Sequence, residues 1–361
     1  MTSLASRGGR PTLALVGATG AVGRVTQQVL AMRADIWGEI RVAAAHEDAG
    51  TELSVCGRDL VIQELTADFF DGVDIAMLDV PAALAAEWAP VAVARGVVVI
   101  DNSSALRGDP DIPLVVPEVN PAQIRNRPKG IIANPGATTL TIIDVLAVLH
   151  AGWELTELVV ASYQAASGAG RVGMARLYDE LEVVAGHREL GNQAGDVRRL
   201  IEHELGERSP FPAPLALNVV PWIGSADEGG WTTEELKIRN ETRKVLGLPD
   251  LRVSATCVRV PVVTAHSVAV HATFARRIDV HQARQALVEA PAVVVLDDPE
   301  TLEFPTPSDA VGSDPRFAGR LRQALDFPNT LDFFICGDNL RKGAALNMVQ
   351  VAELVAGDLA G

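Results

Sequence analysis

Apolar positions near the start of the chain switch between short continuous runs and the wider spacing of an amphipathic helix. Residues 12–16 form a first run, and residues 41–45 form a second one. Between these runs, Val25, Val29 and Leu30 recur at helical spacing. This order of strand, helix and strand predicts one β-α-β unit.

The same alternation continues through the first third of the chain. Apolar runs at 73–78 and 97–101 predict further strands, and the alanine-rich stretch 82–94 between them predicts a helix. Strands that alternate with helices are typical of an α/β domain with a doubly wound parallel sheet. We therefore expect such a domain over residues 1–135, with helices on both faces of its sheet.

The pattern changes after residue 135 and predicts a second domain, of the α+β class, over residues 136–337. The expected helices lie at 138–150 and within 174–205, and the expected strands lie at 158–163, 253–263 and 267–275. The last two runs are rich in β-branched residues, which favour strands. They predict a large, mostly antiparallel sheet.

Composition and charge argue against several classes of function. The chain has 31 basic and 46 acidic side chains and a formal net charge of -15, whereas nucleic-acid and anionic membrane surfaces need clustered Lys and Arg. Its first apolar run is interrupted at Gly17, which predicts neither a signal peptide nor a membrane span, so we expect a cytoplasmic protein. Cys56, Cys257 and Cys336 lack the spacing of a zinc site, so reduced thiols and no metal are expected.

Three glycines follow the first predicted strand and open the first predicted helix. Gly17, Gly20 and Gly23 would allow a tight turn and a close approach of backbone N–H groups to a pyrophosphate. The helix N-terminus favours negative charge at that place. The motif predicts a Rossmann-type dinucleotide-binding domain; the alternative is a tight strand-helix turn without a ligand.

Three further segments resemble the bacterial aspartate-semialdehyde dehydrogenase family. They are DNSSALRGDPDIPLVVPEVNP at 101–121, NPGATT at 134–139 and SYQAASGAGRVG at 162–173. The family's pattern in the middle segment is Asn-Pro-Asn-Cys-Ser/Thr-Thr, so Gly136 and Ala137 stand where the family has asparagine and its nucleophilic cysteine. The resemblance implies that residues 338–361 return to the first domain. It also implies that the second domain binds substrate and forms the dimer.

The resemblance also implies a set of cofactor-binding residues: Gly17, Thr19, Gly20, Val22, Gly23, Glu47 and Asn339. Where the family holds the 2′-phosphate of NADP with an Arg-Ser pair, this chain has Glu47 and Asp48. A carboxylate repels that phosphate and can accept hydrogen bonds from a free ribose, so NAD is expected rather than NADP if a dinucleotide binds. The alternative is that both carboxylates are solvated and no dinucleotide binds.

A second departure on the cofactor side is Asp79-Val80-Pro81, where the family has Ser-Ala-Gly. Proline removes an amide donor and restricts φ, and the aspartate adds a carboxylate. This change predicts an altered pyrophosphate and nicotinamide site. The segment 338–345, which contains Asn339, matches the family's other cofactor-side motif.

For the substrate, the resemblance implies a small anionic, amino-acid-derived ligand. Arg107 and Lys237 match the family's phosphate-binding positions, and Arg259 matches its carboxylate clamp, where a planar guanidinium can bind both oxygens. Glu234 would contact the substrate's amino group, and Gln164 would orient its acyl end. Each of these residues taken singly also fits a purely structural role.

The catalytic residues implied by the family are His266, as acid and base, Gln164, and the nucleophile, whose position holds Ala137. An alanine methyl cannot form the thioester through which hydride passes in the family's reaction. Thr138 and Thr139 offer only unactivated hydroxyls, and Cys257 and Cys336 are expected to be buried structural thiols.

Three hypotheses about function follow. The first is a nucleophile-less homologue with a binding or regulatory role, as a homodimer or paired with an active paralogue. The second is a divergent enzyme that uses acid-base chemistry at His266 on an aspartyl-phosphate-like or semialdehyde-like substrate. The third is an active aspartate-semialdehyde dehydrogenase of amino-acid biosynthesis. The missing thiol favours the first hypothesis, and the retained pocket residues support the second.

Overall fold

The computed structural model describes residues 9–44 and 48–361. The chain divides into two compact units. Unit 1 comprises Met1–Gly136, Glu241–Leu248 and Arg341–Gly361, and unit 2 comprises Ala137–Asn240 and Pro249–Leu340. Gly136 and residues 241–248 were expected in the second domain but belong to unit 1. Residues 338–340 were expected in the first domain but belong to unit 2.

Unit 1 contains a six-stranded sheet in the order β5-β2-β1-β6-β7-β8, and every adjacent pair in it is parallel. Its strands are β1 (Leu13–Val16), β2 (Ile40–Ala44), β5 (Gln63–Glu64), β6 (Ile75–Leu78), β7 (Val98–Asp101) and β8 (Ile131–Ala133). A hairpin of β3 (Glu52–Val55) and β4 (Arg58–Val61) precedes β5. The doubly wound parallel sheet expected from the sequence is confirmed.

Three helices belong to unit 1: α1 (Ala21–Ala31), α2 (Ala82–Ala94) and α9 (Leu346–Ala360). Every residue of β1, β6 and β7 is buried, as expected for parallel strands that are covered on both faces. The core joins the apolar side chains of β1 and β2 to those of α9. A π-helical turn at Arg341–Ala345 directly precedes α9.

Unit 2 contains a second six-stranded sheet, in the order β10-β9-β11-β14-β13-β12. Its strands are β9 (Leu155–Gln164), β10 (Arg252–Arg259), β11 (His266–Phe274), β12 (Val293–Val295), β13 (Arg316–Gln323) and β14 (Thr330–Gly337). The pairs β9/β11, β11/β14 and β13/β14 are antiparallel, whereas β9/β10 and β12/β13 are parallel. The sheet is therefore mixed.

Unit 2 also contains six α-helices in whole or in part. They are α3 (Ala137–Trp153), α4 (Gly170–Val184), α5 (Asp196–Leu205), α7 (Val280–Val288) and α8 (Pro307–Ala310), together with most of α6 (Thr233–Leu246). The single polar helical region expected at 174–205 is in fact two helices, α4 and α5. Gly186, Gly191 and Gly195 between them have positive φ, which ends one helix and allows the turn before the next.

Candidate active site

The glycine loop of unit 1 connects β1 to α1. Gly17 has a φ of 95°, and a methyl group added to it would lie 2.0 Å from the carbonyl oxygen of Asp79. A methyl group on Gly23 would lie 2.3 Å from the carbonyl oxygen of Gly17. The chain's own packing therefore requires these two glycines. Gly20 differs, since a methyl group there would meet nothing closer than 3.4 Å, so the chain's own packing does not require a glycine at this position.

An acidic side chain lies beside this loop. The hydroxyl of Thr19 donates a hydrogen bond of 2.7 Å to the carboxylate of Asp48, which follows β2. Glu47, for which ribose binding was predicted, lies outside the described residues. The partly buried side chain of Val22 packs against the apolar core. Asp48 is therefore one carboxylate that the structure places next to the glycine loop.

Asp79 follows β6 and turns its carboxylate towards the same loop. It accepts hydrogen bonds from the side-chain amide of Asn102, at 2.8 Å, and from the backbone N–H of Gly23. Burial raises the pKa of Asp79, and these hydrogen bonds oppose that shift. Pro81 precedes the first residue of α2, where the missing amide donor does not interrupt a helical hydrogen bond.

Arg107 forms an ion pair with Glu241 inside unit 1, with 3.0 Å between Arg107 Nη1 and Glu241 Oε1. The guanidinium also donates to the carbonyl of Asn102, and the N–H of Gly136 donates to Glu241 Oε2 at 2.7 Å. Glu241 follows Glu234 by seven residues, a spacing that returns to the same helix face and could have identified it from the sequence. The proposed phosphate-binding guanidinium thus already has an anionic partner.

In unit 2, Glu234 is the centre of a cluster that contains several of the predicted substrate residues. Its Oε1 accepts hydrogen bonds from the hydroxyl of Thr138, at 3.0 Å, and from the side-chain amide of Gln164, at 3.3 Å. Its Oε2 lies 3.6 Å from Lys237 Nζ, one turn further along α6. The structure therefore brings Gln164, Glu234 and Lys237 together. Thr138, whose role was not predicted, joins them because it lies in the first turn of α3, directly after Ala137.

Arg259 and His266 are linked through one backbone residue. Arg259 Nη1 donates to the carbonyl of Ala165 at 2.7 Å, and the N–H of Ala165 donates to His266 Nδ1 at 3.1 Å. A methyl group on Gly168 would lie 2.5 Å from Arg259 Nη1 and 3.4 Å from the His266 ring. Gly168 thus leaves the room that the guanidinium occupies. No role was predicted for this glycine, although it lies in the family-like segment 162–173.

Burial sets the protonation of His266. Desolvation, with a smaller contribution from the charge of Arg259, lowers the pKa of His266 to about 3. The ring is therefore neutral at pH 7. Because Nδ1 accepts a hydrogen bond, the proton of the neutral ring is on Nε2. In this state His266 presents a hydrogen-bond donor at Nε2, and it can act as a base there only after the ring changes tautomer.

Asn339 lies in unit 2 and supports the residue before His266. Its Oδ1 accepts hydrogen bonds from the N–H of Ala265, at 2.9 Å, and from the hydroxyl of Ser167, at 3.0 Å. Ala265 has a φ of 78°, which is strained for a residue with a side chain. Asn339 stabilises this conformation and so helps to orient His266. Its predicted contact with a cofactor stays a prediction.

Comparison with known proteins connects both units to one family. The sequence profile described as semialdehyde dehydrogenase, NAD binding domain, matches residues 12–127, and the profile described as semialdehyde dehydrogenase, dimerisation domain, matches residues 146–342. The chain belongs to the aspartate-semialdehyde dehydrogenase family. Unit 1 thus contains the NAD-binding domain of this family, and unit 2 contains most of its dimerisation domain.

Relatives in this family are similar over nearly the whole chain. The aspartate-semialdehyde dehydrogenase of Streptomyces akiyoshiensis is 43% identical over 96% of this chain and 99% of its own length. The aspartate-semialdehyde dehydrogenase of Synechocystis sp. is 39% identical over 95% of this chain and 96% of its own length. Among solved structures, aspartate semialdehyde dehydrogenase II of Vibrio cholerae complexed with ASA matches with a TM-score of 0.89 and 34% identity, over 97% of this chain and 99% of the other.

Two cysteines of this family member are buried in the second sheet. Burial raises the pKa of Cys257 to about 12 and that of Cys336 to about 11. Catalytic thiols have the opposite property, since a nucleophilic cysteine needs a lowered pKa and access to its substrate. The expectation that both are buried thiols is confirmed.

Among residues 9–44 and 48–361, no group of three or more His, Cys, Asp or Glu side chains could hold a metal ion. In the same residues, no helix has the length and the apolar character needed to cross a membrane. The cytoplasmic location stays a prediction.

Proposed function

We propose that this family member binds a small amino-acid-derived ligand of the semialdehyde or aspartyl-phosphate type, without forming a thioester to it. The observation that carries the proposal is the methyl group of Ala137 at the start of α3, next to Thr138 and the Glu234 cluster. A methyl group cannot attack an acyl carbon. Thr138 is a poor substitute, because its hydroxyl is buried and donates to Glu234.

Recognition of the ligand would use the charges of unit 2. Arg259 engages Ala165 through Nη1, and a guanidinium has five N–H donors, so further donors could bind a carboxylate. The carboxylate of Glu234 suits an ammonium group, and Lys237 suits an anionic end group. A solved relative is complexed with ASA, and we propose a ligand of the same kind for this chain.

The dinucleotide proposed for unit 1 is NAD rather than NADP. Thr19 holds the Asp48 carboxylate beside the glycine loop, where it would repel the additional 2′-phosphate of NADP and could accept a hydrogen bond from a free ribose hydroxyl. The backbone of Gly17 to Gly23 would hold the pyrophosphate. Bound NAD would supply a hydride acceptor, and the residues of this chain would only bind and orient it.

A second candidate is an active aspartate-semialdehyde dehydrogenase. The relatives support this candidate better than a ligand-binding protein without catalysis. Proteins named aspartate-semialdehyde dehydrogenase are 38% to 43% identical to this chain over nearly its whole length. Without a thiol at position 137, such an enzyme would need phosphate itself to add to the aldehyde carbon, so that hydride could leave from the tetrahedral adduct and give the acyl phosphate. His266, with its proton on Nε2, could then donate a hydrogen bond to the substrate's carbonyl oxygen.

We also propose that unit 2 forms a homodimer, or pairs with an active paralogue. The family's dimerisation profile covers residues 146–342. Val159 and Tyr163 are exposed on β9, at positions that alternate with buried residues of the same strand. Exposed apolar side chains on one face of a sheet are suited to an interface.

One set of measurements tests catalysis and binding together. Phosphate-dependent oxidation of aspartate semialdehyde is assayed with NAD and NADP, and binding of aspartate semialdehyde is measured by calorimetry. We expect binding without turnover in the wild-type protein, and loss of binding in Arg259→Lys, which removes the bidentate donor set. Ordinary turnover by the wild-type protein would support the second candidate instead.

The variant Ala137→Cys is the matched control for the missing thiol. It places a sulfur at the N-terminus of α3, where the helix dipole lowers a thiol pKa. We expect this variant to be alkylated by iodoacetamide at position 137. Failure of Ala137→Cys to gain either alkylation or turnover would show that position 137 is not next to the reacting carbon.

A further inference from the structure

Asp79 brings a carboxylate into the glycine loop between β1 and α1. Its backbone N–H donates to the carbonyl of Val16 at 2.9 Å, which holds the residue beside the end of β1. Its carbonyl oxygen lies where a side chain on Gly17 would be. A methyl group on Gly20 would lie 3.7 Å from the Asp79 carboxylate. Both the main chain and the side chain of Asp79 therefore lie next to the loop.

The carboxylate serves as a capping group for α1. The residue before this helix is Gly20, which has no side chain with which to cap the first turn. Asp79 instead accepts a hydrogen bond from the N–H of Gly23 in that turn. The positive end of the helix, which in this fold attracts the pyrophosphate of a dinucleotide, thus already faces a negative charge from the chain itself.

A chain of side-chain hydrogen bonds orients the partner of this carboxylate. Lys342 Nζ donates to Asn347 Oδ1 at 3.1 Å, and Asn347 Nδ2 donates to Asn134 Oδ1 at 2.6 Å. Asn134 Nδ2 donates to Asn102 Oδ1 at 2.8 Å, and Asn102 Nδ2 donates to Asp79 at 2.8 Å. All three amides point their nitrogen atoms towards Asp79. This direction favours an acceptor at position 79 and stabilises its charge despite burial.

We infer that Asp79 is a specificity-determining residue that weakens binding of the dinucleotide's pyrophosphate at the glycine loop. The inference rests on the proposed dinucleotide site in unit 1. A carboxylate and a pyrophosphate that approach the same helix end repel each other, and the pyrophosphate must compete for the same helix charge. The effect requires phosphate charge in the ligand, so a nucleoside without phosphate is not subject to it.

Calorimetric titration of NAD and adenosine into the full-length protein tests this inference. Asp79→Asn and Asp79→Ser both remove the charge, and the second variant carries the residue that the family resemblance suggests. We expect each to bind NAD about tenfold more tightly than the wild-type protein does, while adenosine affinity changes by less than about twofold. Thermal unfolding verifies that each variant is folded, so one variant suffices if the other is not.

Asp74→Asn is the matched charge control. Asp74 lies at the opposite end of β6, where its carboxylate accepts a hydrogen bond from the N–H of Thr12 that an asparagine oxygen can also accept. It should leave NAD affinity unchanged. If the wild-type protein binds NAD and the folded Asp79 variants bind it no more tightly, the inference is overturned while the dinucleotide site stands. If neither the wild-type protein nor the variants bind NAD, both are overturned.

Discussion

Arg107 and Glu241 form an ion pair that is almost entirely shielded from solvent, with side-chain exposures of 12% and 4% and a separation of 3.0 Å. The same carboxylate accepts the N–H of Gly136, and a methyl group on Gly136 would lie 2.9 Å from Arg107 Nη1. The glycine at this position therefore leaves room for the pair. A phosphate that binds Arg107 would have to share the guanidinium with Glu241.

We predict that Glu241→Ala lowers the free energy of unfolding by about 3 kcal/mol, because it leaves the buried guanidinium of Arg107 without its charge partner. Urea denaturation measures this change. In a double-variant cycle with Arg107→Met, the two losses should be far from additive. Arg125→Ala, which removes a largely exposed partner of Asp358, is the control and should cost less than about 0.5 kcal/mol. Additive losses would contradict the proposed coupling.

The three glycines of the loop should respond differently to alanine. Gly17→Ala and Gly23→Ala force a methyl group to 2.0 Å and 2.3 Å from backbone oxygens, so each should destabilise unit 1 by about 2 kcal/mol or more. Gly20→Ala should leave the melting temperature close to that of the wild-type protein but abolish NAD binding in calorimetry. Unchanged NAD affinity in Gly20→Ala would argue against a dinucleotide at this loop.

The burial of His266 predicts a dependence of stability on pH. Its folded pKa of about 3 lies below the ordinary 6.5, so between these values the unfolded chain binds a proton that the folded chain does not. The free energy of unfolding should therefore fall as the pH is lowered from about 6.5 towards 3, by at most about 1.4 kcal/mol per pH unit from this group. Above pH 6.5 this contribution is constant.

Denaturation at several pH values tests this dependence through two variants. His266→Asn keeps an acceptor for the N–H of Ala165 and should flatten the slope relative to the wild-type protein. His203→Asn changes a histidine whose side chain is 81% exposed and should not alter the slope. Equal slopes for the wild-type protein and His266→Asn would show that folding does not lower the pKa of His266.

Asp48 should determine the choice between NAD and NADP. Asp48→Ser removes the carboxylate that Thr19 holds beside the glycine loop and should raise NADP affinity by about tenfold, with a smaller change for NAD. Calorimetry with both dinucleotides measures the ratio. Asp59→Ser, an exposed position in the β3-β4 hairpin, is the control for net charge. An unchanged NADP affinity in Asp48→Ser would assign the selection to another residue.

Local patterns were sufficient to predict much of the secondary structure of unit 1, whereas the candidate site residues were implied by the family resemblance. Helix α2 was predicted with its observed bounds, and β6 and β7 were predicted within two residues, because apolar periodicity and alanine content act within a few neighbouring residues. In unit 2, the family resemblance identified Gln164, Glu234 and Lys237 as candidate site residues. The polar region at 174–205 was less well predicted, since its periodicity did not show where α4 ends and α5 begins.

The absence of a thiol at position 137 and the alternation of strands and helices over residues 12–101 follow from the sequence itself, because the first is a matter of composition and the second of local periodicity. Only the tertiary structure decided which charges meet. Glu241 and Arg107 form an ion pair although they are 134 positions apart in the sequence, and Asn339 accepts a hydrogen bond from Ala265, which is 74 positions away. Hydrogen bonds and charge pairs depend on distances in space of about 3 Å, which spacing along a chain does not determine.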